Sequence, residues 1–303
     1  MPPKPRPKPP LDAPLRYATP SDTLRIGEVI YAGFEPTSEF RWNQPYHKQF
    51  HEDTLQTDIF DAAFFIDHRH HICVVVEDTR DANEAKYTGA ILPDGGGAVD
   101  PEPDKVVVGL AVWRLSPESP WCNGTFSIPL DAQWPRLCLY PDEERCQHKE
   151  HVRLGGKLMD DLEEKHFGVC GMTLERLVIH PAYWRRGHGR RLLEWGMRFA
   201  NSDGVIIGVC ASSTGVVLYR ALGFTLLETG SIVGDDVSPE GVQYHAMKYY
   251  PRKKWDSTRR KPEIVDEGHI DNGPIDDVLR RLNIDVDPVD VYTCLAKLMS
   301  GTL

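Results

Sequence analysis

Apolar positions fall in two rhythms along this chain, and the switch between them gives the elements. Strand-like runs alternate or are continuously apolar: Leu15 to Thr19, His70 to Asp78, Lys105 to Leu115, Met172 to Ile179, Val205 to Cys210, Thr225 to Val233 and Val242 to Tyr249. Helical spacing appears between them. Leu24, Ile26, Val29, Ile30 and Phe34 predict a helix from about Thr23 to Phe34. A second is predicted near Tyr46 to Thr57, and a third from about His151 to His166 through Leu154, Leu158, Met159 and Leu162. Leu192, Leu193, Gly196, Met197 and Ala200 give the inward face of a fourth, closed by Asn201-Ser202-Asp203-Gly204. A short helix runs through Tyr219 to Leu222 and ends at Gly223-Phe224. Residues 80–104 are rich in Gly, Asp and Pro, and residues 116–150 in Pro, Trp and Cys; both read as insertions.

The stretch from Met172 to Phe224 carries the chemistry. His180-Pro181 ends a strand, because proline gives the ladder no donor. Ala182-Tyr183-Trp184-Arg185-Arg186-Gly187-His188-Gly189-Arg190-Arg191 then runs straight into a helix. A helix start leaves N–H groups unpaired and carries partial positive charge. Gly187 and Gly189 let an anion approach the backbone, and Arg185, Arg186, Arg190 and Arg191 add four charges beside it. The whole chain carries a net charge of -10, so this basic focus is local. A diphosphate on the helix N-terminus is the expected ligand. No Lys-Ser/Thr follows the glycines as in a P-loop, and the third glycine of a dinucleotide fingerprint would fall at Leu192.

This ordered set resembles the GNAT superfamily of acyl-CoA-dependent N-acetyltransferases. It comprises the strand end Ile179-His180-Pro181, the loop, the helix, Ala211-Ser212-Ser213-Thr214-Gly215, then Leu218-Tyr219 and Leu222-Gly223-Phe224. The family loop reads Gln/Arg, two variable residues, Gly, one variable residue, Gly/Ala. Here Trp184 holds the leading position. The resemblance implies an α+β fold with a mixed, mainly antiparallel sheet flanked by helices over residues 15–250. The sheet should splay between the strand before the loop and the strand at Val205 to Cys210. It implies acetyl-CoA as co-substrate and an amine as acceptor, attacked directly at the thioester. Backbone groups of Leu177, Val178 and Ile179 would hold the pantetheine arm. Arg185, Arg186, Gly187, His188, Gly189 and Arg190 would hold the diphosphate, with Ser213 and Tyr219 completing the cofactor site.

Two catalytic roles are implied. Tyr219 stands where the family often has a tyrosine near the CoA sulfur, and a phenol of pKa about 10 can protonate a thiolate whose parent pKa is about 8.5. Glu175 lies in the strand tract where some members carry a catalytic carboxylate. Strict alternation places it on the face of Leu177 and Ile179, where burial would raise its pKa and suit it as a base. Otherwise water relays the proton. Glu35 and His180 are further base candidates, His180 also fitting a strand-end cap.

Composition narrows the class. Seven scattered cysteines without a framework spacing favour a reducing compartment. No apolar run reaches the roughly 18 residues of a membrane helix, and the proline-rich start has no signal-type apolar region, so a cytoplasmic protein, with the nucleus as a second location, is expected. Net acidity argues against bulk nucleic-acid binding. Cys146, His148 and His151 form a Cys-x-His-x-x-His run without an evident fourth ligand, and His68, His70 and His71 read as a charged strand edge, so no metal is expected. Residues 1–14 are expected to be an extended, mobile tail. Residues 251–303 read as a linker and a helical extension (Ile275 to Leu282, Pro288 to Met299) that could meet a protein partner. The competing class is a protein of the same fold that binds acyl-CoA or a partner without chemistry.

Overall fold

A computed structural model describes residues 7–92, 104–137 and 144–251. The predicted C-terminal helices lie outside these residues, as do the central part of the first insertion and six residues of the second.

Seven strands form one sheet in the order β1-β2-β3-β4-β5-β7-β6. They are β1 (Leu15–Tyr17), β2 (His71–Thr79), β3 (Lys105–Leu115), β4 (Met172–Ile179), β5 (Ile207–Ala211), β6 (Thr225–Ile232) and β7 (Val242–Tyr249). Every pairing is antiparallel except β4 with β5. The central strands β2 and β3 are buried over nearly their whole length, which explains their unbroken apolar runs.

Helices cover both faces. On one face α5 (His188–Asp203) lays Leu192, Leu193, Met197 and Ala200 on Trp113, Met172 and Leu174. Gly196 makes this fit possible, since a Cβ there would overlap the Trp113 ring. Each such large apolar side chain contributes roughly 1.5–3 kcal/mol on full burial. Gly187 begins α5 and Gly204 ends it, both at left-handed φ (85° and 69°). The other face carries α1 (Thr23–Phe34) and α3 (His51–Asp67), packed on Cys73, Val75, Leu110, Val112 and Val178. Beside them α2 (Ser38–Asn43) and α4 (Lys149–Phe167) cover β7 through Trp42, Leu162, Tyr244 and Ala246. The short α6 (Val216–Ala221) follows β5.

The single helix expected near Tyr46 to Thr57 is instead two, α2 and α3, separated by a turn at Gln44–Phe50. Residues 7–14 differ from a mobile tail. The Tyr17 hydroxyl donates to the Pro9 carbonyl at 2.7 Å, the Trp195 indole donates to Pro10 at 3.4 Å, and the Lys8 ammonium sits 5.2 Å from the Tyr17 ring. The insertions also pack where described. Glu84 of the first takes both Arg25 nitrogens, at 2.7 and 2.8 Å, and Phe126 of the second joins the α5 core. Among the described residues no helix is long and apolar enough to cross a membrane.

Candidate functional site

The sheet opens where β4 and β5 part. These parallel strands pair only at Met172 with Ile207 and Thr173 with Gly208. Beyond that point β4 is held from one side alone, by β3. Ile179 lies opposite Gly109 in the register, and the His180 N–H donates to the Val108 carbonyl at 2.9 Å. Alternate residues of an antiparallel strand turn their polar groups to one neighbour. Val178 and His180 therefore serve β3, while Leu177 and Ile179 offer N–H and C=O groups to the gap. The expected trio of backbone contacts narrows to these two residues. Trp184 bears on this edge as well, its indole N–H donating to the Ile179 carbonyl at 2.7 Å. An extended chain with amide groups fits such an edge as an added strand.

The gap leads to the turn before α5. Arg185 and Gly187 both have positive φ, 65° and 85°, the kind of turn in which successive N–H groups converge on an anion. The N–H groups of Gly187, His188, Gly189 and Arg190 donate to no protein acceptor among the described residues. A Cβ on Gly187 would meet nothing within 4 Å, so the approach is open. The arginines do not all serve this turn. Arg186 pairs with Asp78 at 3.1 Å, donates to the Ala182 carbonyl and lies 4.9 Å over the Tyr183 ring. The buried His188 side chain turns the same way, its Nε2 2.9 Å from Asp78. These two side chains anchor α5 to the end of β2, and only their backbone faces the turn. Arg190 forms an exposed pair with Glu194 at 3.1 Å, a contact of small net value. Arg185 and Arg191 have no ion-pair partner among the described residues, so the cationic side chains left free at the turn are these two.

Ser213 stands across the gap, after β5. Its amide donates to Glu39 of α2 at 3.2 Å, and its hydroxyl lies 3.2 Å from His245 Nε2. Tyr219 is buried beside Phe224 at 5.4 Å between ring centres, and burial pushes its phenol well above the ordinary value. The neighbouring Leu218 approaches Gly189, which brings α6 against the start of α5.

Glu175 is not where strict alternation puts it. A bulge between Val112 and Trp113 leaves Arg176 opposite Val112 and Leu174 opposite Trp113, with Glu175 as the extra residue. Leu177 and Ile179 pack toward α5, whereas Glu175 meets His71 Nε2 at 2.9 Å and Arg114 Nε at 2.5 Å. Those partners belong to the face of α1 and α3. Burial alone would raise the Glu175 pKa. Contact with His71 and the charges of Arg114 and Arg176 override it and hold the carboxyl at about 2. The expected raised pKa is thus reversed, because the extra residue faces cations. His180 is fully buried, accepts from the Ala182 N–H and is pushed down to about 4 by burial, as befits a cap.

On that same face is a cavity of about 500 Å³. Glu35, Ser38, Arg41, Trp42, His47 and Lys48 line one side, and the β6–β7 turn Val237–Gly241 the other. Its position relative to the gap is set by Gly33, where a Cβ would lie 2.9 Å from the Ile179 carbonyl oxygen. The end of α1 thus touches the open edge of β4, and Glu35 follows two residues on. Glu35 is 7% exposed, and its carboxylate has no hydrogen-bond partner among the described residues. The Tyr31 hydroxyl is 3.1 Å from His47 Nδ1, and burial lowers the His47 pKa. Of this cavity the sequence signalled only Glu35; Arg41, His47 and Lys48 stood in no motif.

The candidate metal run is engaged otherwise. His151 stacks on Trp42 at 3.8 Å, with its nitrogens 2.8 Å from the Trp42 carbonyl and 2.7 Å from Asp235. Among the described residues no group of three or more His, Cys, Asp or Glu side chains could hold a metal ion.

Comparison with known proteins bears on these features. Residues 149–226 match the family model of the acetyltransferase (GNAT) domain. An acetyltransferase of Stachybotrys chartarum is 29% identical over 252 residues, covering 82% of this chain and 94% of its own. Among solved structures, a protein of Corynebacterium glutamicum described as histone acetyltransferase HPA2 and related acetyltransferase is 19% identical. It covers 78% of this chain and 95% of its own, with a TM-score of 0.42. The PaiA N-acetyltransferase of Thermoplasma acidophilum, solved with coenzyme A, is 11% identical, covering 78% and 97% with a TM-score of 0.36. The matched segment runs from α4 through the open edge of β4, the turn and α5 into β6, so this part of the chain is similar to the acetyltransferase (GNAT) domain.

Proposed function

We propose that the protein transfers an acetyl group from acetyl-CoA to the nitrogen of an amine. The observation that carries this reading is the continuous path from the edge of Leu177 and Ile179, which no strand pairs, to the N–H groups of Gly187 to Arg190, which have no acceptor among the described residues. Pantetheine amides suit the first part and a diphosphate the second. Arg185 and Arg191 supply charge beside it. Trp184 shares the Ile179 carbonyl, so it fixes the direction of that acceptor in place of the polar side chain of the family loop.

In the reaction the amine lone pair attacks the thioester carbonyl. The new C–N bond forms, the C–S bond breaks, the ammonium proton is lost, and the thiolate gains a proton. Tyr219, kept protonated by burial, is the donor to sulfur on this reading. Glu175 is a poor base, since a carboxyl held at about 2 has little drive to take a proton at neutrality. Glu35, buried in the cavity without a protein partner, receives the amine and its proton.

Calorimetric titration with acetyl-CoA tests the cofactor assignment. Gly187→Asp places a carboxylate against the diphosphate and should weaken binding about tenfold or more. Gly187→Asn, which tolerates the same φ of 85° without charge, should stay within a few-fold of the parent. Equal affinity in the Asp variant would remove the turn as the anion site. A thiol-release assay over an amine panel then tests turnover.

A further inference from the structure

We infer that the acceptor is a small amphoteric molecule, an amine that also carries an anionic group, carboxylate or phosphate, read by Arg41 and Lys48. This inference rests on the amine-acetylation reading and specifies its acceptor. The cavity holds charge of both signs in separate places. Glu35 lines the interior, nine-tenths buried, its carboxylate beside Gly89 and without a hydrogen-bond partner among the described residues, while Arg41 and Lys48 are exposed at the rim. Neither cation has an ion-pair partner among the described residues, in contrast to several arginines of this protein. Arg16, Arg25, Arg114, Arg153, Arg176 and Arg186 all have carboxylates within 4 Å. The facing wall contributes one acid, Glu240, which forms no ion pair with either. His47 adds no fixed positive charge at neutrality, because burial disfavours its protonated form.

An amine entering such a cavity meets the buried carboxylate at the end nearest β4. An anion on the same molecule would then face the two rim cations. Guanidinium and ammonium groups recognise carboxylate and phosphate by charge-assisted hydrogen bonds, which are worth more than neutral ones. A molecule lacking the anion leaves both cations unused, and one lacking the amine leaves Glu35 buried and unpaired. Size points the same way. About 500 Å³ falls within the range that holds a small ligand.

The test compares matched amines that differ in the anion: lysine with cadaverine, phenylalanine with phenethylamine, and aminoethyl phosphate with ethanolamine. Thiol release is followed in the parent and in Arg41→Glu/Lys48→Glu, with acetyl-CoA titrated into both. The expected result is a kcat/KM at least tenfold higher for the anionic member of at least one pair. That ratio should collapse toward one in the double variant, mainly through KM, while acetyl-CoA affinity stays within twofold. The amino-acid and amino-phosphate arms tell the two anions apart. A ratio at or below one in the parent overturns the inference. So does a ratio that the double variant leaves unchanged, or acetyl-CoA binding with turnover of peptide amines alone or of no anionic amine. Absence of acetyl-CoA binding in the parent overturns the cofactor reading beneath it, and the two failures are thereby distinguished.

Discussion

Glu175 shows how one inserted residue changes a side chain's chemistry. Because of the bulge it faces His71 and Arg114 rather than the α5 core. Its carboxyl is held at about 2, below its ordinary 4.5, so its stabilising effect is fully present above about pH 4.5. That effect is lost as pH falls from there through about 2. Glu175→Gln leaves the buried His71 without its carboxylate partner and Arg114 with Glu163 alone, a loss of roughly 1–3 kcal/mol. At two to four degrees per kcal/mol for a chain of this size, Tm at pH 7 should drop by roughly 2–10 °C. The gap between parent and variant should narrow as pH is lowered from about 4.5 to 2. The same variant separates two roles. Loss of a general base costs about a hundredfold or more in kcat, whereas loss of a residue that shapes the strand should cost less than tenfold at a temperature where both proteins are folded. A hundredfold loss with an abolished pH limb would return Glu175 to the base role.

At the level of elements, the β6–β7 turn forms one wall of the cavity, and the Asp235–His151 pair ties its start to α4. Asp235 at its start meets His151 Nε2 at 2.7 Å, and His151 is fixed by stacking on Trp42 and by the Trp42 carbonyl. The hydrogen bond from His151 holds the Asp235 carboxyl at about 2, so Asp235 stays a carboxylate throughout the neutral range. Asp235→Asn should therefore raise the acceptor KM several-fold at pH 7 and leave acetyl-CoA affinity unchanged, since the cofactor path touches neither residue. Steady-state kinetics beside calorimetry would show this, and an equal loss in both constants would contradict it. The pair also marks the limit of what periodicity reveals. Strands β3, β4 and β7 and helix α1 were legible to the residue, because apolar positions recur from end to end of each. The break between α2 and α3 was not, since the Tyr46 N–H donates to the distant Cys146 carbonyl while Gln44, His47 and Phe50 bond to neighbouring backbone. The bulge was illegible for a related reason: an unpaired residue is defined by its partner strand, not by its own. Likewise the glycine spacing marked the anion turn, but the diversion of Arg186 and His188 to Asp78 depends on a strand about 110 residues away.

For the molecule as a whole, the contacts of residues 7–14 show what composition alone does not reveal. Prolines that would keep an isolated peptide extended also leave its carbonyls free, and an extended chain can lie across a helix and a strand at once. Residues 7–14 do this, with Pro9 accepting from Tyr17 of β1 and Pro10 from Trp195 of α5. Tyr17 and Trp195 in turn meet edge to face at 6.1 Å, so the segment covers an aromatic seam between the first strand and the helix that begins at the anion turn. Asp12 adds a loose pairing with Arg198 at 3.9 Å. A chain beginning at Leu11 would lose two hydrogen bonds to partly buried donors, each contributing about 0.5–1.5 kcal/mol. Its Tm should fall by roughly 2–10 °C. Because Trp195 lies on the helix whose first turn forms the anion site, acetyl-CoA titration of the shortened chain gives a second reading. Unchanged affinity with lowered Tm would mean the segment only stabilises the α5 seam. A parallel loss of affinity would mean it also holds α5 in the position the cofactor needs. An unchanged Tm would show that these contacts contribute nothing to the folded state.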